Sequence, residues 1–285
     1  MTSEGQYLAT LAHIFSTSDP RVEVGIGDDA AVVSAITASL ALATDMAVEG
    51  VHFTREWSNL FDIGGKVAAA NLADIVAMGG VARYLLVAAA IPAEMTLDEV
   101  SELARGIQSE ASKVGAHVVG GDLTRSPLLT IAISVFGEVN KPFLRSGAQP
   151  GDVVAVSALP GASARGLEDI KKGLATADAQ LHRYPSVDYE KIKNLDPDVV
   201  HALTDVSDGL VSELEGIAKA SDVAIALTSS TTTRNPDVLH GGEDHVFVGT
   251  FSSCPQDWIE IGQVRSGSGV TLDGENIEHQ GFTHF

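Results

Sequence analysis

Five short apolar runs in this chain end in aspartate or run straight into it, at 24–29, 40–45, 117–122, 202–205 and 206–208. Runs of four to eight apolar or β-branched residues read as buried strands, whose polar ends belong at the sheet edge. Such a chain has to build sheets that deliver carboxylates from several strand ends. Gathered acids repel one another and lose solvation, so something cationic must offset them. All-oxygen donor sets suit Mg²⁺ or Ca²⁺. The pattern points to a divalent-metal site for phosphate chemistry.

Between these runs the chain alternates helix and strand signals. Leu8, Leu11, Ala12 and Phe15 give residues 1–15 a helical stripe, and strands are expected at 22–24, 30–33 and 40–43. A helix over 61–78 stops at Gly79-Gly80. A strand follows at 84–90, then Thr96 and Glu99 form a capping box that opens a helix to about Val114. Strands at 117–119 and 128–135 complete a first α/β domain over 1–139. Turn chemistry near 140–151 marks the boundary, and 140–285 forms the second domain. There we expect strands at 152–157, 223–227, 246–251 and 259–264, with a helix at 162–173 and another at 208–220 capped by Ser207. Interleaved helices and strands give an α/β or α+β class.

The helix over 61–78 is apolar nearly all round, which marks a buried helix. Lys66, Asn71 and Asp74 within it need partners. Asp74 is either a metal ligand or one member of a buried polar pair.

Several short motifs carry chemistry, and each has a plainer reading. Gly25-Ile-Gly-Asp-Asp29 is a tight turn whose two acids can face one ion, or a hairpin turn built by Gly and Asp. Thr44-Asp45 adds a hydroxyl and a carboxylate at a strand end, or belongs to a surface loop. Gly120-Gly-Asp122-Leu-Thr-Arg125 offers backbone amides that a phosphate can approach closely. Arg145 is either a phosphate clamp or a solvated junction arginine. Asp205 and Asp208 stand at a helix start, where acids are also favoured by the helix dipole. No Walker-A sequence is present, and Gly64-Gly-Lys66-Val67 does not substitute for one. A nucleotide must then be held through metal ions and scattered polar groups.

Charge narrows the partners further. With 18 basic and 38 acidic residues the net charge is −20, which disfavours nucleic acid and anionic membrane. The single cysteine, Cys254, excludes an internal disulfide and fits a reducing compartment. The start lacks the basic residues of a signal peptide. The best apolar candidate for a membrane span, 84–91, is far shorter than the ~20 residues required. A soluble, cytoplasmic protein is expected.

In this order, the segments closely resemble the thiamine-monophosphate kinases of the aminoimidazole-ribonucleotide-synthetase-like superfamily. The matching text is Gly25-Ile-Gly-Asp-Asp-Ala30, Thr44-Asp-Met-Ala-Val-Glu-Gly-Val-His-Phe53, Asn71-Leu-Ala-Asp-Ile-Val-Ala-Met-Gly79 and Gly120-Gly-Asp-Leu-Thr-Arg125. It continues with Leu144-Arg-Ser-Gly-Ala-Gln-Pro-Gly-Asp152, Asp205-Val-Ser-Asp-Gly-Leu210, Gly241-Gly-Glu-Asp244 and Gly281-Phe-Thr-His-Phe285. The resemblance implies a two-domain fold of mixed sheets flanked by helices, assembled as a homodimer. It implies ATP-dependent phosphorylation of thiamine monophosphate, with several Mg²⁺ ions and no protein general base. The implied metal ligands are Asp29, Thr44, Asp45, Asp74, Asp122, Asp205 and Asp208. Gly121, Asp122, Arg145 and Ser207 would contact ATP, and His52, Glu243 and Phe282 the thiamine phosphate. The chain departs from the family pattern at Ala43, His245-Val246 and His279, and 221–244 is shortened.

Overall fold

A computed structural model describes residues 4–26, 30–34, 38–229 and 234–277. In the first 140 residues the elements are α1 (Glu4–Ile14), β1 (Val22–Val24), β2 (Val32–Val33), β3 (Ser39–Val48), α2 (Leu60–Ala77), β4 (Val81–Ile91), α3 (Leu97–Lys113), β5 (His117–Arg125) and β6 (Thr130–Val139). Contacts divide the chain into two units, Met1–Ile75 with Gly80–Asn140, and Val76–Gly79 with Lys141–Phe285.

The first unit is built on a sheet of order β3-β6-β4-β5. Its one parallel pair, β4 with β5, is joined across α3, the crossover that parallel neighbours require. Along β6, buried and half-buried residues alternate strictly, the signature of a sheet covered on one face. Ile131, Ile133 and Val135 face the covered side, fully buried. Helix α2 packs there, with the Ile75 side chain against Gly137 of β6. On the opposite face Leu42 and Met46 of β3 are 64% and 60% exposed.

α2 is buried as its composition predicts, with Ala68, Leu72 and Ala73 wholly covered. It meets α3 at two glycines. A Cβ on Gly64 would lie 2.1 Å from the Leu103 carbonyl oxygen, and one on Gly106 would lie 2.0 Å from that of Phe61. The helices touch backbone to backbone. The expected capping box is present: Thr96 Oγ1 accepts from Glu99 N at 3.3 Å, and Glu99 Oε2 accepts from Thr96 N at 2.7 Å.

Strand lengths differ from the sequence reading. β3 does not end at the Thr44-Asp45 pair but runs to Val48, because β6 offers it ten consecutive partners. β5 likewise continues through Gly120-Gly-Asp122, which is strand and not turn. Gly121 sits so close to β4 that a Cβ would lie 1.9 Å from the Val87 carbonyl oxygen. Close strand approach, not turn geometry, requires that glycine.

A charged network closes one end of this unit. Asp19 accepts from Arg21 N at 2.9 Å and from Arg21 Nη2 at 3.0 Å. Arg21 and Arg83 both reach Glu138, at 3.3 and 2.9 Å. The Arg21 side chain and its amide hold the Asp19 carboxyl at about 2, well below its ordinary value. A carboxylate whose folded pKa lies below its unfolded one stabilises the fold above the unfolded value, and that contribution is lost as pH falls from about 4 to 2. Solvent around half-open Arg21 limits it to about 1 kcal/mol. Asp19→Asn is therefore expected to melt at lower temperature than wild type at pH 7, with the difference closing by about pH 2. A constant difference across that range would contradict the assignment.

The second unit contains β7 (Val153–Val156), α4 (Ala162–Lys171), α5 (Ala177–Arg183), α6 (Tyr189–Lys193), β8 (Val200–Asp205), α7 (Leu210–Ser221), β9 (Ala224–Leu227), α8 (Pro236–His240), β10 (Phe247–Phe251), β11 (Ile259–Arg265), β12 (Gly269–Leu272) and β13 (Glu275–Asn276). The strands form one mixed sheet of order β13-β12-β9-β11-β7-β10-β8. Val154, Val156, Ile225, Val248 and Val264 share a buried cluster with Leu210, Leu214 and Ile217 of α7. The α/β class with mixed sheets flanked by helices is thus observed. Helices α5, α6 and α8 and strands β12 and β13 were not legible, each being too short for its periodicity to register. Among the described residues no helix is long and apolar enough to cross a membrane.

Ser207 does not cap α7. The helix starts after Gly209, whose φ of +113° turns the chain just before Leu210. The capping role fails because the first free helical amides lie further along than the serine can reach.

Candidate active site

In the second unit, two loops lie side by side at the end of β8. Asp205 closes that strand, and Val206, Ser207 and Asp208 lead into α7. The Gly241-Gly-Glu-Asp244 loop runs against them: Glu243 N donates to Ser207 O at 2.7 Å and His245 N to Val206 O at 3.0 Å. Glycine permits this proximity, since a Cβ on Gly242 would lie 2.6 Å from Ser207 O. Glu243 itself has φ +62°. The unit thereby brings Asp205, Ser207, Asp208 and Glu243 into one neighbourhood.

Arg145 joins them from the preceding connection. Its Nη2 donates to Thr204 Oγ1 at 3.0 Å and pairs with Glu213 Oε2 at 2.8 Å. Ser207 Oγ donates weakly to Glu213 Oε1 at 3.4 Å. Burial pushes the Glu213 carboxyl up to about 7, outweighing the pull of Arg145, and Asp205 and Asp208 push in the same direction.

Asp205 is buried, and His245 Nδ1 stands 3.1 Å from its Oδ2. His245 fixes one oxygen of that acid. Asp244 accepts from Gly161 N at 2.7 Å and Ser163 N at 3.0 Å, tying the loop to the start of α4. Burial raises its carboxyl while those amides draw it back. On the far side of the loop, Glu243 Oε2 lies 3.8 Å from His182 Nδ1.

The first unit holds the remaining described residues. Asn71 of α2, fully buried, bridges helix and sheet: its Oδ1 accepts from Asp45 N and its Nδ2 donates to Val67 O, both at 2.9 Å. Thr44 Oγ1 reaches Ile133 O and Ser134 Oγ, each at 3.0 Å. Asp74 is partly buried on α2, three residues after Asn71. Glu49 pins the loop after β3 through Arg55 Nε at 2.7 Å and Leu129 N at 3.3 Å. Burial alone would raise its carboxyl, but those donors prevail and lower it. His52 Nδ1 accepts from Val48 N at 3.1 Å, so that nitrogen is unprotonated and the ring proton belongs on Nε2.

Asp45 and Asp122 do not share a position. β3 and β5 are the two edge strands of the sheet, three strand spacings or about 14 Å apart. Asp45 pairs with Ile133 on the covered face, whereas Asp122 falls in the row of Ala88, Ala132 and Met46 on the open face. One ion cannot bridge both within this sheet. Among the described residues no three His, Cys, Asp or Glu side chains are grouped to hold a metal. Asp29 and Phe282 lie outside the described residues.

The sequence reading missed Glu213 and the role of Asn71. Glu213 was legible on a helical wheel, since it falls three residues from Leu210 on the apolar face of α7, where an acid must be buried and paired.

Comparison with known proteins identifies the family. Residues 27–139 match the AIR synthase related protein, N-terminal domain. The thiamine-monophosphate kinase of Mycobacterium tuberculosis is 38% identical over 89% of this chain and 83% of its own length. That of Bacillus subtilis is 33% identical over 93% of this chain and 94% of its own. AaThiL complexed with AMPPCP and TMP superposes with a TM-score of 0.81 at 29% identity, covering 99% of this chain and 97% of that one. Sequence order, fold and near-complete coverage agree, and this chain belongs to the thiamine-monophosphate kinase family.

Proposed function

We propose that this protein transfers the γ-phosphoryl group of ATP to thiamine monophosphate, giving thiamine diphosphate. The observation that carries the reading is the convergence of Arg145, Ser207, Asp205 and Asp208 beside the Gly-Gly-Glu loop, in a chain whose family relative was solved with AMPPCP and TMP. In this reading Gly121, Asp122, Arg145 and Ser207 contact ATP, with Arg145 as a forked donor to phosphate. His52, with its proton on Nε2, donates to the acceptor phosphate, and Glu243 pairs with the cationic or amino part of thiamine. Phe282 stacks on a ring of the same substrate. The acceptor is already an anion at neutral pH, so its oxygen attacks without a protein base, and positioning and charge neutralisation do the work.

Asp29, Thr44, Asp45, Asp74, Asp122, Asp205 and Asp208 are the residues assigned to Mg²⁺. Their donors are all hard oxygens, and Asp205 and Asp208 stand close enough to Glu213 to add to the effect of burial on its carboxyl. Both features fit a divalent cation. The wide spacing of Asp45 and Asp122 argues against one closed protein cage. Mg²⁺ commonly takes one or two carboxylates and fills its shell with phosphate oxygens and water. Bound there, it would offset charge on the phosphates as the group transfers.

The decisive assay mixes protein, Mg²⁺, ATP and thiamine monophosphate and follows thiamine diphosphate by chromatography. Stoichiometric nucleotide binding without product would replace the kinase by a binding protein.

A second copy of the chain is the proposed partner, seated on the open face of the four-stranded sheet. Leu40, Leu42 and Met46 are 55%, 64% and 60% exposed there, an apolar row interrupted by Thr44 that a partner would remove from water. β3 is also an edge strand of that sheet, and soluble proteins cover such edges. Leu42→Lys is expected to turn a dimer into a monomer in sedimentation at micromolar concentration. A monomeric wild type would remove the proposal.

A further inference from the structure

Helix α7 contains a residue choice that the helix does not explain. Gly216 lies in its interior, where glycine costs about 1 kcal/mol relative to alanine. A Cβ at this position would stand 3.1 Å from Arg145 Nη1 and 4.0 Å from its Cδ. The arginine therefore lies along the helix surface where a side chain at 216 would otherwise be. One turn earlier, Glu213 meets the other end of the guanidinium at 2.8 Å, with its own side chain only 3% exposed. Thr204 Oγ1 accepts from the same Nη2 at 3.0 Å. The backbone beneath is fixed as well: Ser221 Oγ donates to Arg145 O and accepts from Gly147 N and Ala148 N, all at 3.1 Å. Leu203 N donates to Leu144 O at 3.0 Å.

We infer that α7 is a cradle that presents Arg145, with Glu213 as its positioning residue and Gly216 as the space it needs. The inference rests on the reading of Arg145 as a nucleotide contact. A free arginine side chain samples many rotamers, and ordering it on binding costs affinity. Glu213 removes that cost in advance. It grips one Nη and leaves the rest of the fork, on a side chain 51% exposed, to meet phosphate. Glu213 touches no substrate in this scheme. It acts through the arginine.

Binding of AMPPCP with Mg²⁺, measured by calorimetry, tests this. Arg145→Ala and Glu213→Ala are each expected to weaken binding about tenfold, the scale of a lost hydrogen bond to a charged group. The double variant should be no weaker than Arg145→Ala alone, because both changes remove the same contact. The KM for thiamine monophosphate should not move, and Glu213→Gln, whose amide oxygen still accepts from Arg145, should recover most of the affinity. Gly216→Leu fills the cradle without touching the acid, and should weaken binding while keeping the melting temperature. It also keeps the test open if Glu213→Ala folds poorly. Wild-type affinity in Glu213→Ala or Gly216→Leu, or multiplicative losses in the double variant, would overturn the cradle while leaving Arg145 in its role. Wild-type affinity in Arg145→Ala would overturn both.

Discussion

Asp122→Asn is expected to lower kcat/KM by about 10²–10³, the several kcal/mol that charge neutralisation by a metal supplies in phosphoryl transfer. The substitution keeps shape and removes one negative charge. The folded state should not notice, because Asp122 is exposed on edge strand β5 and, among the described residues, no backbone hydrogen bond depends on its side chain. Activity and stability are therefore expected to separate: turnover collapses and the melting curve stays within a degree or two of wild type. The loss should be partly restored by raising Mg²⁺, since a weakened ligand lowers occupancy before it abolishes it. Turnover near the wild-type rate would remove Asp122 from the metal and nucleotide contacts. Equal loss of activity and of melting temperature would make its role structural.

Gly106→Ala is expected to act through stability instead. The added methyl would sit 2.0 Å from Phe61 O, 2.9 Å from Phe61 C and 3.0 Å from Gly65 N. All three are backbone atoms of the neighbouring helix, so no rotamer change relieves the clash, and α2 and α3 must move apart. Overpacking of this kind costs roughly 3 kcal/mol. For a chain of this size that is about 6–12 °C in melting temperature. Because α2 carries Asn71, which holds the Asp45 amide, the displacement should also reach the β3 site. Gly5→Ala is the matched control: nothing lies within 4 Å of a Cβ there, and alanine improves a helix. A thermal melt with Gly106→Ala as stable as Gly5→Ala would show that the helices do not touch as described.

These two predictions come from different levels of the chain. The role expected of Asp122 comes from its motif. That of Gly106 does not, because no local pattern distinguishes a glycine required by a neighbour's backbone from one that is merely tolerated. The same division runs through the site. The capping box at Thr96 and the buried helix α2 follow from local periodicity and appear where expected. Ser207 was misread as a cap because capping signals describe which residue types suit a helix start, while Gly209 decides where that start falls. Glu213 sat unread on an apolar face until its partner, almost seventy residues earlier, came into view.

By itself the sequence determined which segments form most of the longer helices and strands, that acids punctuate the strands, and which family the ordered motifs belong to. These depend on residue types and short spacings, which the chain carries locally. Only the tertiary structure decided how far β3 and β5 run, and hence that Asp45 and Asp122 occupy opposite edges and opposite faces of one sheet. It alone placed Arg145 along α7 between Glu213 and Gly216. Strand length and register are set by what the partner strand offers, and a buried ion pair by which distant segments meet. Neither quantity resides in any one stretch of the chain.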